Sequence, residues 1–281
     1  MNSFAQDLWN YFNRLQKENN EFFLEQDCLE KNKIQFYQEI DSTNSYLLRQ
    51  LSSCKDLKSM DGTFVCAASQ TKGKGRLGRK FYSPAKSGIY FSYVCASGKE
   101  ILNPAFYTIS AAVGVCRGIK KYFGLETQIK WVNDIYYNQK KVSGILAEGF
   151  LNSESGKVEA AVVGIGINFV RDKNFPEEIS CKAGGLFCDE NKKINAAEFV
   201  AECMFEIFSI IRKKENVIEE YKNRSMLIGE TVTVTPVVGV NKTNFKAKII
   251  SITDDAGLEV ELENGNREVL HCGEISLHNN L

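Results

Sequence analysis

The sequence has no excess of charge of either sign. Its 281 residues include 35 lysines and arginines and 35 aspartates and glutamates, so the formal net charge is zero. A large net charge is what draws a protein to nucleic acid or to an anionic membrane surface. The composition therefore excludes bulk electrostatic attraction as the basis of function, and we expect neither a nucleic-acid nor a membrane partner.

Long hydrophobic runs are also missing. The longest mostly apolar stretches, 105–116 and 160–170, are shorter than the roughly 18 residues that a membrane-spanning helix needs. The first residues do not combine a basic start with an apolar stretch, so they do not read as a secretory signal. These absences predict a soluble protein.

Cysteine occurs without the clustering of a disulfide framework or a zinc site. The nine cysteines include no C-x-x-C pair, and most lie in apolar segments, as do Cys66, Cys95, Cys116 and Cys203. We therefore expect reduced core thiols and a cytoplasmic location.

The chain divides into three predicted regions. Residues 1–31 begin with apolar side chains at helical spacing and form an N-terminal helical extension, which is too short for a winged helix. Residues 32–225 alternate strands and helices and form the large domain. Residues 226–281 contain short strands separated by turns such as Asn264-Gly265, the pattern of a small β-barrel.

Periodicity and capping residues place the elements of the large domain. Strands are predicted over 34–40, 63–69, 89–94, 129–132, 134–137, 141–148 and 158–169. Helices are predicted after the capping residues 41–44, over 107–123, and from a capping box at Asn195 and Glu198 to about Lys222.

A basic, glycine-rich loop over 70–80 is the most informative segment. Five of the residues from Lys72 to Lys80 are cationic, and three glycines lie among them. Glycines allow the backbone to approach a ligand, while amides and cations bind anions. Because no helix follows the loop directly, the G-x-G-x-x-G spacing does not indicate a dinucleotide fold, and no Walker phosphate loop occurs. A solvated basic turn is the alternative interpretation.

Polar residues interrupt three further apolar segments. They occur in K-W-V-N-D (130–134) with K-V-S-G-I-L (141–146), in S-T-N (42–44) and in G-I-G-I-N (164–168). Buried lysine and aspartate are costly unless they are paired or used. The alternatives are an edge hairpin with its charges in water for the first pair, and a simple helix cap for the second segment.

Taken together and in this order, the motifs resemble the biotin–protein ligase family. The run is S-T-N, Q-x-x-G-x-G-R-x-G-R-x-x-x-S-P, K-W-x-N-D, K-x-x-G-I-L and G-x-G-I-N, and the resemblance covers roughly residues 34–281. It implies an α+β (α/β-like) fold: a mixed sheet with flanking helices, as in class II aminoacyl-tRNA synthetases, followed by an SH3-like barrel. The implied form has no DNA-binding domain.

The resemblance also implies an activity and a set of site residues. The activity is ATP-dependent formation of biotinyl-AMP, followed by biotin transfer to a lysine of a biotin carboxyl carrier protein or domain, with ATP, Mg²⁺ and biotin bound. The implied biotin contacts are Ser42, Thr43, Asn44, Gln70, Gly73, Lys74, Gly75, Arg76, Lys141 and Gly144. The implied ATP contacts are Arg79, Lys130, Asn133, Asp134 and Asn168.

Three of these residues are assigned to catalysis on the same basis. Lys141 would bridge the biotin carboxylate and the phosphate, Arg76 would hold phosphate, and Asp134 would bind Mg²⁺. A carboxylate is already ionised near pH 7, so no general base is required to activate it. The scarcity of histidine, with only His271 and His278, agrees with this chemistry.

The sequence departs from the common family pattern at three positions. Lys74 stands where arginine is frequent and loses the bidentate geometry of that side chain. Leu77 replaces a polar or basic residue, and Val132 replaces proline. None of these changes removes a residue that the chemistry requires.

Three other functions remain open at this stage. They are a lipoate or octanoate ligase on the same fold, a ligase that also represses transcription, and an RNA-binding module that uses the basic loop. The second would need a winged helix in 1–31, and the third would need aromatic residues on a stacking face, where only Phe81 and Tyr82 lie nearby. The protein would be a monomer or a homodimer.

Overall fold

A computed structural model describes residues 3–19, 30–96, 104–151, 156–172, 175–189, 192–235, 243–271 and 274–277. Its helices are α1 (Ser3–Glu18), α2 (Thr43–Ser53), α3 (Pro104–Phe123), α4 (Glu177–Ser180), α5 (Ala196–Lys213) and α6 (Ile218–Asn223). The first strands are β1 (Ile34–Tyr37), β2 (Phe64–Ala67), β3 (Gly88–Cys95), β4 (Gln128–Lys130), β5 (Asp134–Tyr137), β6 (Lys140–Leu151) and β7 (Val158–Asn168). The later strands are β8 (Thr231–Thr235), β9 (Phe245–Ile252), β10 (Leu258–Leu262), β11 (Arg267–Leu270) and β12 (Glu274–Leu277).

The first seven strands form one mixed sheet in the order β1-β2-β3-β7-β6-β5-β4. β1 and β2 are parallel, and the other neighbours are antiparallel. The remaining strands form a five-stranded antiparallel sheet in the order β11-β10-β9-β8-β12, consistent with an SH3-like domain. The predicted fold class is therefore confirmed.

Alternation along the strands divides the large sheet into two faces. One face carries Phe91, Tyr93 and Ile165, which join a core formed with α1, α3 and α5. The other face carries Val94 and Val162, which pack with Leu47 of α2 in a smaller cluster. Within the described residues, the sheet thus lies between a layer of α1, α3 and α5 on one face and α2 on the other.

Local signals placed several ends correctly. Asn195 caps α5 by accepting the Glu198 backbone N–H (3.4 Å), and Gly124 ends α3 in the left-handed region at φ 72°. The predicted helix from Asn195 to about Lys222 is wrong, however. α5 ends at Lys213, Lys214 adopts φ 50°, and α6 begins only at Ile218.

Other predicted bounds shift slightly. The first strand ends at Tyr37 rather than Ile40, which forms an isolated bridge to Gln70. The N-terminal helix ends at Glu18, and residues 20–29 of the predicted extension lie outside the described residues. The boundaries of the three regions stay predictions.

No helix in the described parts of the chain is long and apolar enough to span a bilayer. The seven described cysteines are free, and Cys66, Cys95, Cys116 and Cys203 are buried, as expected for core thiols. Cys28, Cys272 and His278 lie outside the described residues.

Candidate active site

Three glycines on adjacent strands form a flat floor on the α2 face of the sheet. Gly144 of β6 pairs in register with Gly166 of β7, and Gly164 lies two residues before Gly166 on the same face. An added methyl group at Gly166 would come within 2.5 Å of the Phe81 ring, and one at Gly164 would collide with the Asn44 side-chain oxygen. These positions admit no side chain, because neighbouring groups already lie against the backbone.

The start of α2 lies above this floor and presents hydroxyl and amide groups. Ser42 caps the helix by accepting the Ser45 N–H (3.4 Å), and Ser42, Thr43 and Asn44 are all buried. The Ser92 hydroxyl oxygen lies 2.7 Å from Thr43 Oγ1 and 2.6 Å from Asn44 Oδ1. These contacts hold the polar end of α2 rigidly against the sheet.

Asn44 is also held from the other side. Its amide nitrogen donates to the Leu146 carbonyl (3.1 Å) and to Glu148 Oε2 (2.8 Å). Glu148 in turn faces Lys74 of the basic loop, with an Nζ–O distance of 3.8 Å. Asn44 therefore has few degrees of freedom, and the loop is tied electrostatically to the same strand.

The basic loop folds back on itself beside the floor. Gln70 accepts the Thr43 backbone N–H (2.9 Å) and donates to Ser83 Oγ (3.0 Å), which joins the start and end of the loop to α2. Phe81 N–H donates to the Gly73 carbonyl (2.9 Å). A side chain at Gly73 would collide with the Phe81 carbonyl, so this close return requires glycine.

One ion pair and one hydrogen bond from a cation close the far side of the cleft. Lys141 Nζ lies 2.6 Å from Asp134 Oδ1, and Arg76 donates to Asn133 Oδ1 (3.2 Å). Asn133 is itself fixed because its amide nitrogen donates to the Ile145 carbonyl (2.7 Å). A lysine and an arginine from separate segments thus converge on one side, as required to bind an anion.

The resulting cleft encloses about 460 Å³, open solvent included. Predicted residues that line it are Ser42, Thr43, Asn44, Gln70, Lys74, Gly75, Arg76, Asn133, Lys141 and Gly144. Further lining comes from Phe81, Ile145, Leu146, Gly164, Ile165 and Gly166. The structure therefore brings together segments that are more than 100 residues apart in sequence.

Five predicted site residues lie outside the lining. Gly73 and Arg79 shape the loop through their backbones, since the Arg79 carbonyl accepts the Gly75 N–H (2.7 Å). Asp134 reaches the cleft through its pair with Lys141. Lys130 and Asn168 lie further away.

Lys130 and Asn168 form contacts away from the floor. Lys130 Nζ lies 5.8 Å from the centre of the Tyr136 ring, and burial raises the pKa of Tyr136 to about 12. Asn168 is buried at the end of β7, where its amide nitrogen donates to the Gly184 carbonyl (3.1 Å). The ATP-contact assignments of Lys130 and Asn168 stay predictions.

The departures from the family pattern have local consequences. Lys74 retains a charged partner in Glu148, and the Val132 carbonyl accepts the Tyr221 hydroxyl (2.8 Å). Leu77 lies in the left-handed region (φ 57°) with 51% of its surface exposed, at the tip of the loop. Leucine adopts that conformation at a cost of about 1 kcal/mol.

Sequence reasoning assigned no role to Phe81, Ser92 and Glu148. Phe81 covers Gly166, and the other two hold Asn44. Strand alternation could have found Ser92, because a polar residue inside an otherwise apolar strand calls for a partner. No local signal marks Phe81 or Glu148.

The donor set fits an anion-binding site better than a metal-binding cage. Among the residues that the structure describes, no group of three or more His, Cys, Asp or Glu could hold a metal ion. Asp134 Oδ1 is buried and accepts no conventional hydrogen bond, and its partner is the Lys141 ammonium group. The arrangement can bind a carboxylate and a phosphate in the cleft that Asn44, Phe81 and Lys141 line.

Comparison with known proteins agrees with this chemistry. Residues 36–168 match the model of the biotin/lipoate A/B protein ligase family. The bifunctional ligase/repressor BirA of Bacillus spizizenii is 28% identical over 243 residues, which are 83% of this chain and 71% of that protein. The biotin–[acetyl-CoA-carboxylase] ligase of Mycobacterium tuberculosis is 27% identical over 202 residues, covering 69% of this chain and 71% of that one.

A solved structure is similar over most of the chain. The biotin protein ligase from Aquifex aeolicus in complex with biotin and ATP superposes with a TM-score of 0.69 at 27% identity. The match covers 88% of this chain and 99% of that chain.

Proposed function

Because the chain belongs to the biotin protein ligase family, we propose that it is an ATP-dependent biotin–protein ligase. The reaction forms biotinyl-5′-AMP and pyrophosphate, and then transfers the biotinyl group to a lysine of a biotin carboxyl carrier protein or domain with release of AMP. The observation that carries this proposal is the convergence of Arg76 and Lys141 beside the glycine floor.

The first step brings two anions together. The ionised biotin carboxylate attacks the α-phosphorus of ATP, and the bond to the pyrophosphate leaving group breaks. Lys141 and Arg76 lower the repulsion and stabilise the charge that develops on phosphate. Lys141 must exchange its pair with Asp134 for the substrate, so substrate binding is expected to free the Asp134 carboxylate.

That carboxylate fits a magnesium ion that arrives with the nucleotide. Mg²⁺ is commonly held by one or two carboxylates together with substrate phosphates, and the half-buried Asp134 carboxylate beside the proposed phosphate site matches this mode. Bound there, the ion would neutralise phosphate charge. Asp134 is the residue that we propose holds it.

The second step requires a neutral amine and a dry site. The lysine ε-amine of the acceptor attacks the activated carbonyl and displaces AMP, and Asp134 would accept the proton that the amine loses. The loop over 70–80 would cover the adenylate and exclude water, because Arg76 already reaches the turn between β4 and β5 and Lys74 already reaches β6. The seven described free cysteines support a reducing, cytoplasmic setting.

The test is biotin-dependent exchange of labelled pyrophosphate into ATP by the purified protein with magnesium. We expect exchange with biotin and none with lipoate. Exchange with lipoate alone would keep the reaction and overturn the substrate, and no exchange with either acid would overturn the enzyme assignment. Lys141→Met should abolish exchange, whereas Lys140→Met is the matched control because its ammonium group contacts the Cys181 carbonyl instead.

A further inference from the structure

The small C-terminal sheet touches the segment that carries the phosphate side of the site. Trp131 Nε1–H donates to the carbonyl of Ala256 (2.8 Å), in the turn that joins β9 to β10. Both residues are buried, with 6% and 5% of their surfaces exposed. The indole is therefore fixed by a group 125 positions away in sequence.

A second anchor comes from α6, which leads into that sheet. Tyr221 is fully buried, and its hydroxyl donates to the carbonyl of Val132 (2.8 Å). The backbone beyond α6 pairs with β4, since Ile129 N–H donates to Arg224 O (2.8 Å) and Met226 N–H donates to Ile129 O (3.0 Å). Residues 129–132 are thus held along their length by α6 and the C-terminal sheet.

The next two residues of the chain are Asn133 and Asp134. Asn133 accepts from Arg76 (3.2 Å), and Asp134 pairs with Lys141 (2.6 Å). A shift of the peptide at Val132 would move both side chains, because a single peptide unit separates that carbonyl from the Asn133 α-carbon. The contacts of Trp131 and Tyr221 therefore fix the backbone that carries the Asn133 and Asp134 side chains, which the proposed function assigns to the phosphate side.

We infer that Trp131 and Tyr221 are positioning residues that set the phosphate half of the site for catalysis. This inference rests on the proposed ligase function. Neither side chain lines the cleft; both act through Asn133 and Asp134. The biotin half has different supports, since Ser42 to Asn44 are held by Ser92, Gln70 and β6.

The separation of supports predicts a selective defect. Tyr221→Phe removes one hydroxyl from a buried site and leaves the Val132 carbonyl without that donor. A hydrogen bond of this kind corresponds to a change of about tenfold in an equilibrium constant or rate. We expect kcat/KM for ATP in the exchange reaction to fall about tenfold, while KM for biotin changes less than about twofold.

The matched control is Tyr93→Phe. Tyr93 is equally buried, but its hydroxyl has no hydrogen-bond partner among the described residues, so its removal breaks no such bond. This variant should match the parent protein for both substrates. Trp131→Phe, which removes the indole donor, is the second test variant and should repeat the selective loss for ATP.

A spectroscopic readout separates positioning from simple loss of stability. The chain has two tryptophans, so Trp9→Phe leaves Trp131 as the only one. ATP should change the emission of Trp131 in this variant, and adding Tyr221→Phe should shift that titration to about tenfold higher ATP. Cooperative unfolding of each variant checks that it is folded.

The outcomes are distinguishable. If Tyr221→Phe and Trp131→Phe both match the Tyr93→Phe control, or lower the kcat/KM for biotin and for ATP equally, the positioning role is overturned and the ligase function stands. If the parent protein shows no exchange, the ligase function fails. The ATP titration of Trp131 emission then still decides whether these side chains set a nucleotide site.

Discussion

Single side chains decide the shape of the half of the cleft that we propose for biotin, and its glycine floor leaves no room for a further side chain. Gly164 lies directly beneath Asn44, whose amide oxygen occupies the place that a β-carbon would take. Asn44 is also held by Ser92 and Glu148, so moving it away from Gly164 would break these two contacts. A methyl group at Gly164 must therefore displace a residue of the site.

We expect Gly164→Ala to raise KM for biotin by at least about tenfold, with a smaller effect on KM for ATP, since overpacking costs about 1–3 kcal/mol. Exchange kinetics with each substrate varied in turn measure both. Gly149→Ala is the control on the same sheet: its added carbon would meet only the Val158 side chain, at 3.1 Å. Equal effects of the two variants would contradict the assignment of the floor.

Arg76 is the cation that joins the basic loop to the far side of the cleft, through Asn133. Arg76→Gly removes this contact and the charge that would hold the adenylate. We expect biotinyl-AMP to escape faster and to label bystander lysines. The measurement is to incubate the variant with albumin, biotin and ATP and to detect biotin on albumin by blotting. Arg76→Lys keeps the charge but loses the planar, two-pronged guanidinium group. Its labelling of bystander lysines should lie between that of the wild type and that of Arg76→Gly. If Arg76→Gly retains biotinyl-AMP as tightly as the wild type does, this role of Arg76 is wrong.

Among the helices, the contact between α1 and α5 has an electrostatic cost. Leu8 and Phe12 of α1 are fully buried, and the Tyr11 hydroxyl contacts Glu202 of α5 at 3.3 Å. Burial raises the pKa of the Glu202 carboxyl, because desolvation disfavours its charged form. A carboxyl whose folded-state pKa is raised binds its proton more tightly in the folded state, so stability falls as pH rises through that pKa.

Glu202→Gln should therefore raise the thermal midpoint at pH 7, where the wild-type carboxylate is charged. The gain should vanish below the unfolded pKa, near 4.5, where both states of the wild type are protonated. Melting curves across pH 4–8 test this prediction. Glu198→Gln, one turn earlier on α5 and only half-buried, is the control. A pH-independent difference between Glu202→Gln and wild type would refute the argument.

Trp131 and α6 connect the large sheet to the small C-terminal sheet. Ligands that bind in the cleft should therefore stabilise both sheets together. A ligand at 100 times its Kd adds about 2.7 kcal/mol to the unfolding free energy. For a chain of this size, we expect biotin with a non-hydrolysable ATP analogue to raise the melting midpoint by roughly 5–10 °C in one transition. Calorimetry showing two transitions, with only one shifted, would contradict the coupling.

The motifs in order were sufficient to predict the fold class, which the structure confirms, and the family and activity that the compared ligases share. Ten of the predicted site residues line one cleft, although their individual roles stay predictions. Local signals also placed the cap at Asn195 and the end of α3 at Gly124. Such features depend on groups within about one helical turn, and so adjacent residues suffice to encode them.

Other features depend on residues that meet only after folding. No glycine or proline marks the break in the helix after Lys213. The position of α6 depends on the hydrogen bond from the Tyr221 hydroxyl to the Val132 carbonyl and on the contact of Arg117 with the Glu220 carboxylate. Phe81 over Gly166, Glu148 beneath Asn44 and Trp131 on Ala256 likewise join distant parts of the chain. Periodicity reports which face of an element is buried, but the partner on that face is chosen by packing, so only the tertiary structure reveals it.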